Sequence, residues 1–263
     1  MTFFHDVFRE PKTIIGMVHL HALPGSPGYS GNLEEVYEAA CADLKALEAG
    51  GTSAFIVENF GDVPYDDHIE PITLAAFVSI ATRLREQTKL PMGINLQFND
   101  VEAEWDAAYA SDADFIRVEN FAETRVGPNG IFPAMGPKLM RLKGRYPKKV
   151  ALLCDVNVKH TFAAVEQPED FTIESIIEGG GDALIITGLM TGVSPTVDDV
   201  IKAKVIAKTF PIIVGSGVNA GNVTSFLTEA DGAIIGSSLK KDGIVENPVD
   251  EERVRALMHA VKQ

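Results

Sequence analysis

The sequence predicts an α/β fold, a single (β/α)8 TIM barrel over residues 1–263 with a short helix at its N-terminus. Two observations support this fold. Eight short, β-rich apolar segments recur along the chain, and each is followed by a loop and a helical pattern. Strict alternation of strand and helix favours a parallel sheet, and eight such units favour closure into a barrel. A chain of 263 residues is a usual length for one domain of this kind.

The predicted strands are short apolar runs that end in polar or glycine residues. They are Thr13 to His19, Ala54 to Glu58, Met92 to Leu96, Phe115 to Val118, Val150 to Val156, Ala183 to Thr187, Ile212 to Gly215 and Gly232 to Gly236. Helices are predicted where apolar residues recur every three or four positions. They are Leu33 to Glu48, Ile72 to Thr88, Val101 to Ala110, Met135 to Tyr146, Asp170 to Glu178, Thr196 to Lys208, Asn222 to Thr228 and Glu251 to Lys262. The spacing of Phe3, Phe4, Val7 and Phe8 predicts the first short helix, which we expect to plug the barrel floor.

The connections between these elements are asymmetric. Helices lead into strands through small or acidic residues, as at 111–114 and 179–182, which suits the tight turns of a barrel floor. Loops after strands are longer and enlarge the opposite rim, where barrel enzymes place their chemistry. A doubly wound open sheet is the alternative fold. It usually carries a GxGxxG loop after its first strand, and residues 19–25 have no such motif.

Composition restricts the partners of the protein. Lys and Arg number 23 against 37 Asp and Glu, so the formal net charge is −14. This charge repels phosphate backbones and anionic membranes, and we therefore expect no nucleic-acid partner. No apolar run approaches membrane-spanning length, and the N-terminal residues lack the features of a signal peptide. We expect a cytoplasmic protein without a membrane span, and base rates for such barrels leave homo-oligomerisation open.

The segment Cys154–His160 alternates apolar and polar residues. In a barrel strand alternate residues point inward, so Asp155, Asn157 and Lys159 would face the interior. Four residues at roughly 3.3 Å each place Lys159 about 13 Å beyond Asp155 in an extended strand. Asp155 is therefore the stronger candidate for substrate contact. The alternative is a buried Asp that satisfies barrel hydrogen bonds and a Lys on a solvated rim.

Four other strand ends carry candidate catalytic residues. Glu58 could be an acid, a base or a metal ligand, or the structural ion-pair partner of Arg117 or Lys159. Arg117 could bind an anionic group or serve as a structural counterion. Asn95 could orient a hydroxyl or brace a loop. His19 ends the first strand and belongs to the pair His19-Leu-His21.

The last two strands are followed by glycine–serine loops that could bind phosphate. Glycine lets backbone N–H groups approach a phosphate closely, and serine hydroxyls add donors. Loops after the seventh and eighth strands are the recurrent phosphate site of these barrels. The alternative is two tight turns without a ligand. The candidate residues are Gly215, Ser216, Gly217, Gly236, Ser237 and Ser238.

A metal site has weaker support. His19-Leu-His21 is similar to the HxH that binds metal in amidohydrolase-type barrels. Those barrels need further His ligands and commonly an Asp on the eighth strand, where this sequence has Gly236-Ser-Ser238. We therefore predict no cofactor and no zinc site, and a divalent ion held by carboxylates stays open.

Several segments together resemble the BtpA/SgcQ family. They are Ile15–Leu20, Leu23–Gly25, Val57–Pro64, Asn99–Asp100, Phe115–Val118, Asp155–His160, Gly215–Val218 and Gly236–Lys240, and they span essentially the whole chain. The resemblance implies a TIM barrel related to the ribulose-phosphate-binding group. It implies no defined reaction, because BtpA is associated with photosystem I biogenesis and SgcQ with a sugar-catabolism cluster.

Two functional hypotheses follow. The first is a cytosolic enzyme of isomerase, epimerase or aldol-lyase type that acts on a phosphorylated sugar, with phosphate bound after the last two strands. The second is a non-catalytic assembly or stability factor of the BtpA type, which predicts an exposed apolar partner surface. The recurrence of polar residues at so many strand ends favours the enzyme.

Overall fold

The computed structural model describes residues 2–127, 130–158, 161–188 and 194–262. Its strands are β1 (Thr13–His19), β2 (Ala54–Glu58), β3 (Met92–Asn95), β4 (Phe115–Val118), β5 (Arg125–Gly127), β6 (Gly130–Phe132), β7 (Ala151–Asp155), β8 (Phe162–Ala163), β9 (Ala183–Ile186), β10 (Ile212–Val214) and β11 (Gly232–Ile235). Eight of them form a closed parallel barrel in the order β1-β11-β10-β9-β7-β4-β3-β2. This confirms the predicted (β/α)8 fold.

Helices connect the barrel strands and cover their outer face. They are α1 (Phe4–Val7), α2 (Leu33–Gly50), α3 (Pro71–Arg85), α4 (Val101–Ala110), α5 (Gly136–Arg145), α6 (Glu169–Gly179), α7 (Val197–Ala207), α8 (Val223–Leu227) and α9 (Glu251–Val261). The predicted helix bounds agree with these to within a few residues. None of the helices in the described ranges is both long and apolar enough to cross a membrane.

Strand alternation divides the apolar side chains into two clusters. Inward residues such as Ile15, Ile56 and Leu153 form the barrel interior. Outward residues, including Cys154 and Val156, pack with the helices in a second, larger cluster. Helix α1 plugs the floor as the sequence predicts, since Phe4 and Phe8 are buried in the interior cluster. The ring of Phe8 contacts that of Phe115 at 5.0 Å between centroids.

The acidic residues at the floor turns have a shared structural role. Asp114, Asp182 and Asp231 each directly precede a barrel strand. Each carboxylate accepts a hydrogen bond of 2.9–3.0 Å from a backbone N–H of the neighbouring strand. The donors are Met92 for Asp114, Leu152 for Asp182 and Ile212 for Asp231. Each also pairs with a cation from a helix: Arg85 at 3.3 Å, Lys143 at 2.9 Å and Lys204 at 3.2 Å. These carboxylates therefore join strands and helices around the floor.

A small antiparallel sheet, here called the cap sheet, extends from the loops after β4 and β7. It consists of β6, β5 and β8, in that order. These segments fall within the long loops that the sequence predicts after the strands; Pro128 and Asn129 lie outside the described residues. Val126 pairs with both Ile131 and Phe162 in the register of the cap sheet. These three side chains are 41%, 70% and 76% exposed, so the cap sheet presents an apolar row to solvent.

Candidate functional site

Inward polar side chains gather at the carboxyl ends of the barrel strands, a region we call the mouth. Alternation explains their position, because each lies two residues beyond an apolar member of the interior cluster or beyond an inward glycine. On β7, for example, Leu153 belongs to the interior cluster and Asp155 follows it on the same face. The candidates placed here are His19, Glu58, Asn95, Arg117 and Asp155. Lys159 lies outside the described residues.

Arg117 and Asp155 form a bidentate ion pair across β4 and β7. The guanidinium donates from Nε to Oδ1 at 3.0 Å and from an Nη to Oδ2 at 2.8 Å. Burial disfavours the Arg117 cation, but the carboxylates of Asp155, Glu119 and Glu58 outweigh burial and raise its pKa above the ordinary value. Arg117 is thus a permanent cation whose planar fork is engaged by Asp155.

Glu119 is a mouth residue that is not among the candidates predicted from the sequence. It follows β4 directly and shares the inward parity of Arg117, which was the available signal. Its Oε1 accepts a hydrogen bond from Gln97 Nε2 at 2.7 Å, whereas its buried Oε2 has no hydrogen-bond partner in the described structure. Burial, together with the charges of Asp155 and Glu58, raises the pKa of Glu119 to about 8 despite the nearby Arg117. Glu119 is therefore mostly a neutral acid at pH 7.

Asn95 and His19 also hold buried polar atoms without hydrogen-bond partners among the described residues. Within the described residues, the oxygen and the nitrogen of the Asn95 amide have no hydrogen-bond partner, and neither has Nδ1 of His19. The His19 ring stacks on Phe60 at 4.5 Å between centroids. Burial, reinforced by the positive charges of Lys240 and Arg117, lowers the pKa of His19 to about 3, so its imidazole is neutral at physiological pH.

Glu58 and Tyr65 complete the mouth. Glu58 is the last residue of β2 and is buried. It lies opposite Asn95 of β3 in the strand register. The Tyr65 hydroxyl donates to the carbonyl of Phe60 at 2.8 Å. Burial, followed by the charges of Glu58, Glu119 and Asp62, raises the pKa of Tyr65. Tyr65 therefore remains a neutral hydroxyl beside the acidic side of the mouth.

The two glycine–serine loops follow β10 and β11, which are neighbours in the barrel. The Ser238 hydroxyl donates to the carbonyl of Val218 at 2.7 Å and joins the loops. Ser216 Oγ accepts from the N–H of Gly188 at 3.2 Å. Gly217 has a φ of 71° and a Cβ there would lie 1.7 Å from Ser194 Oγ, so glycine is required at this close approach.

Backbone donors are available in these loops. The exposed Ser237 begins a short 3-10 helix, Ser237–Leu239. Within the described ranges, the N–H groups of Ser237 and Ser238 donate to no protein acceptor, whereas those of Leu239 and Lys240 close the turn. Gly236 adjoins the mouth, because a Cβ at this position would lie 3.2 Å from His19 Cε1. The loops and the polar mouth are therefore contiguous.

Neither a metal site nor the nearby Lys240 adds to this arrangement. Over the described part of the chain, no group of three or more His, Cys, Asp or Glu residues could hold a metal ion. His21 is exposed, while His19 is mostly buried. Whether carboxylates of this chain hold a divalent ion, which the sequence left open, is not tested by this geometry. Lys240 is buried and pairs with Asp43 of α2, so it anchors the loop after β11.

The family of this chain follows from comparison with known proteins. A model of the BtpA family matches residues 10–263. The chain belongs to the BtpA family. This confirms the resemblance noted in the sequence.

Relatives of this BtpA-family chain align over nearly its whole length. An uncharacterized protein of Thermococcus kodakarensis is 39% identical over 254 residues, 97% of each chain. The photosystem I biogenesis protein BtpA of Synechocystis sp. is 33% identical and covers 98% of this chain and 91% of its own. The sgc region protein SgcQ of Escherichia coli is 30% identical and covers 99% and 98%.

Solved structures support the fold of this BtpA-family chain. N-(5'-phosphoribosyl)anthranilate isomerase from Pyrococcus furiosus matches with a TM-score of 0.57 at 14% identity and covers 95% of this chain and 98% of its own. KGPDC from Streptococcus mutans matches with a TM-score of 0.59 at 12% identity, with 96% and 98% covered. At such low identity the likeness shows the barrel fold alone.

Proposed function

We propose that the protein is an enzyme of isomerase, epimerase or lyase type that acts on a phosphorylated sugar or a similar phosphate-bearing metabolite. One observation carries the proposal. A buried group of acids, amides and one arginine lies at the carboxyl end of a closed barrel, contiguous with two glycine–serine loops that follow the last two strands. Barrel enzymes place substrate at this end and phosphate at these loops.

The phosphate would bind the backbone of the loops after β10 and β11. The unpaired N–H groups of Ser237 and Ser238 supply donors, and Gly217 permits close approach of the backbone. Donors of this kind offset the net charge of −14 locally without a lysine. Binding the phosphate would hold the reactive carbon over the mouth.

The mouth supplies groups for proton transfer next to a carbonyl. Asp155 or Glu58 would remove a proton from carbon and return it, and Arg117 would stabilise the enediolate oxygen that forms. Asn95 would orient a hydroxyl, and neutral His19 would donate or accept a hydrogen bond near the phosphate loops. Lys159 remains a candidate for the oxyanion role on the basis of sequence alone. No cofactor is part of this proposal.

A second candidate function is a non-catalytic assembly or stability factor. The observation that favours it is the exposed apolar row of Val126, Ile131 and Phe162 on the cap sheet. A relative named for photosystem I biogenesis points in the same direction. This role would not require the buried polar mouth, and we therefore rank it second.

A titration tests the proposed function. We expect inorganic phosphate and at least one of ribulose 5-phosphate, fructose 6-phosphate and glucose 6-phosphate to bind in calorimetry and to raise Tm. The variant Ser237→Asp places a carboxylate at the proposed phosphate position and should weaken binding at least tenfold. Ser79→Asp adds the same charge on an exposed face of α3 and should leave binding unchanged. Failure of phosphate and of all three sugars to bind would reject the enzyme and favour the assembly role.

A further inference from the structure

The mouth contains a pair of buried hydrogen-bonding groups that the protein leaves unsatisfied. Glu119 Oε2 and both polar atoms of the Asn95 amide have no hydrogen-bond partner among the described residues. Asn95 faces Glu119 closely enough to oppose part of the rise in its pKa, yet the two side chains do not meet in hydrogen-bonding geometry. A buried polar group without a partner destabilises the folded state. Several such groups side by side indicate a place for a ligand atom.

We infer that Glu119 and Asn95 together bind an uncharged oxygen of the ligand, a hydroxyl or carbonyl of the sugar body, and that this end of the ligand carries no second anionic group. The inference deepens the proposed function and depends on it, because it assigns the ligand class for the same site. It identifies a neutral monophosphorylated sugar as the ligand class, in preference to a bisphosphate or a phosphorylated sugar acid.

The charges around Glu119 exclude a second anion. Arg117 donates from Nε and one Nη to Asp155, so this edge of the guanidinium is not available for bidentate binding of a ligand carboxylate or phosphate, although its charge still acts on a transient oxyanion. The carboxyls of Glu58 and Asp155 raise the pKa of Glu119 by their charge. A second anionic group placed here would meet the same repulsion without the compensating bidentate pair. A hydroxyl or carbonyl would not.

The protonation state of Glu119 fits such a ligand. The charged and titratable groups that face it are Arg117 on β4, Asp155 on β7, Glu58 on β2, Glu104 on α4 and Tyr65 in the loop after β2. Burial, together with the charges of Asp155 and Glu58, raises the pKa of Glu119 to about 8. Below this pH, Glu119 can donate a hydrogen bond to a ligand oxygen while Asn95 donates or accepts a second. Above it, the carboxylate has no proton to donate, so this hydrogen bond to the ligand oxygen is lost.

Glu104 provides a matched control. It is also a buried glutamate whose pKa burial raises well above the ordinary value. Its Oε1, however, accepts a hydrogen bond from the backbone N–H of Leu96 at 3.2 Å, and it belongs to α4 outside the barrel. A change at Glu104 removes a buried titratable group near the mouth but no ligand contact.

The experiment measures affinity by calorimetry for pairs of ligands that differ at the end remote from the shared phosphate. The pairs are glucose 6-phosphate with 6-phosphogluconate, and fructose 6-phosphate with fructose 1,6-bisphosphate. We expect the neutral sugar of the pair that binds to have at least tenfold higher affinity. The affinity of the wild type should fall about tenfold between pH 7 and 9.5, a range in which the ligand phosphate is already ionised.

Three variants complete the test. Glu119→Gln keeps a neutral donor and should retain the pH 7 affinity within about threefold, without the loss at high pH. Glu119→Ala should lose about tenfold or more at pH 7, and Glu104→Gln should match the wild type. The inference is overturned if Glu119→Ala binds sugars normally, if the sugar acid or bisphosphate binds more tightly, or if phosphate binds and no sugar adds affinity. If phosphate itself does not bind, the proposed function fails instead.

Discussion

The two ends of the barrel differ in how completely their acids are paired. At the floor, Asp114, Asp182 and Asp231 each accept a backbone hydrogen bond and each pair with a helix cation. At the mouth, Glu119 has an oxygen with no partner among the described residues, and so has the neighbouring Asn95. The same eight strands supply both ends, so the difference is one of side-chain placement and not of backbone.

This difference separates stability from function. A satisfied buried carboxylate ties strands and helices together, whereas an unsatisfied polar group lowers the free energy of unfolding. Proteins retain such unfavourable groups mainly at functional sites, where a ligand satisfies them. We therefore expect substitution of the paired floor acids to destabilise the fold, and substitution of the unsatisfied mouth groups to stabilise it.

The largest expected loss of stability is at the floor. Asp182→Ala would leave the buried N–H of Leu152 without its acceptor and remove the bonds to Lys143 and to the N–H of Phe3. We expect a loss of about 3 kcal/mol in the free energy of unfolding, measured by urea denaturation. Asp182→Asn keeps one acceptor and should lose less. Equal stability of Asp182→Ala and wild type would remove the assigned role of the floor acids.

The second effect is a pH dependence that originates at the mouth. The folded state raises the pKa of Glu119 from 4.5 to about 8, so between these values the folded chain holds a proton that the unfolded chain has released. Raising the pH through this window therefore favours unfolding. Glu119→Gln removes this proton exchange, so the stability of the variant relative to wild type should rise between pH 5 and 8.5. Each pH unit inside this window should add about 1.4 kcal/mol to the stability of the variant relative to wild type. A constant difference between the two proteins across this range would show that Glu119 is ionised throughout.

The smallest effect has the opposite sign from most core substitutions. Asn95→Leu replaces a fully buried amide, unsatisfied at both ends within the described structure, with an apolar side chain of similar size. We expect a gain of about 1 kcal/mol in the free energy of unfolding, together with loss of sugar-phosphate binding. The measurements are thermal unfolding and calorimetry. Destabilisation with intact binding would indicate that Asn95 braces the fold.

Much of the fold could be predicted from local pattern. The eight barrel strands and the plug formed by Phe4 and Phe8 follow from runs of apolar residues and their period, which local sequence encodes. The cap sheet could not be predicted in this way. Its strands are two or three residues long, and β8 pairs with β5 from a separate loop of the chain. Such short segments carry no detectable period.

The site could be predicted by position but not by pairing. Parity along β7 places Asp155 inward, and the same rule applied to β4 would have included Glu119. Sequence alone could not choose Asp155 as the ion-pair partner of Arg117, because several acids lie at the same rim. It also gave no sign that Lys240 is buried against Asp43, a contact 197 positions away in the chain. Partner choice depends on packing in three dimensions.

The most direct measurement is a crystal structure of the protein soaked with the sugar phosphate that binds best in calorimetry. The floor offers an alternative position for the phosphate, because a cavity of about 430 Å³ there is lined by cations, among them Arg9, Arg85 and Lys149. We predict that the phosphate lies on the N–H groups of Ser237 and Ser238, with a sugar oxygen between Glu119 and Asn95. A phosphate held in the floor cavity, with the mouth unchanged, would contradict the account.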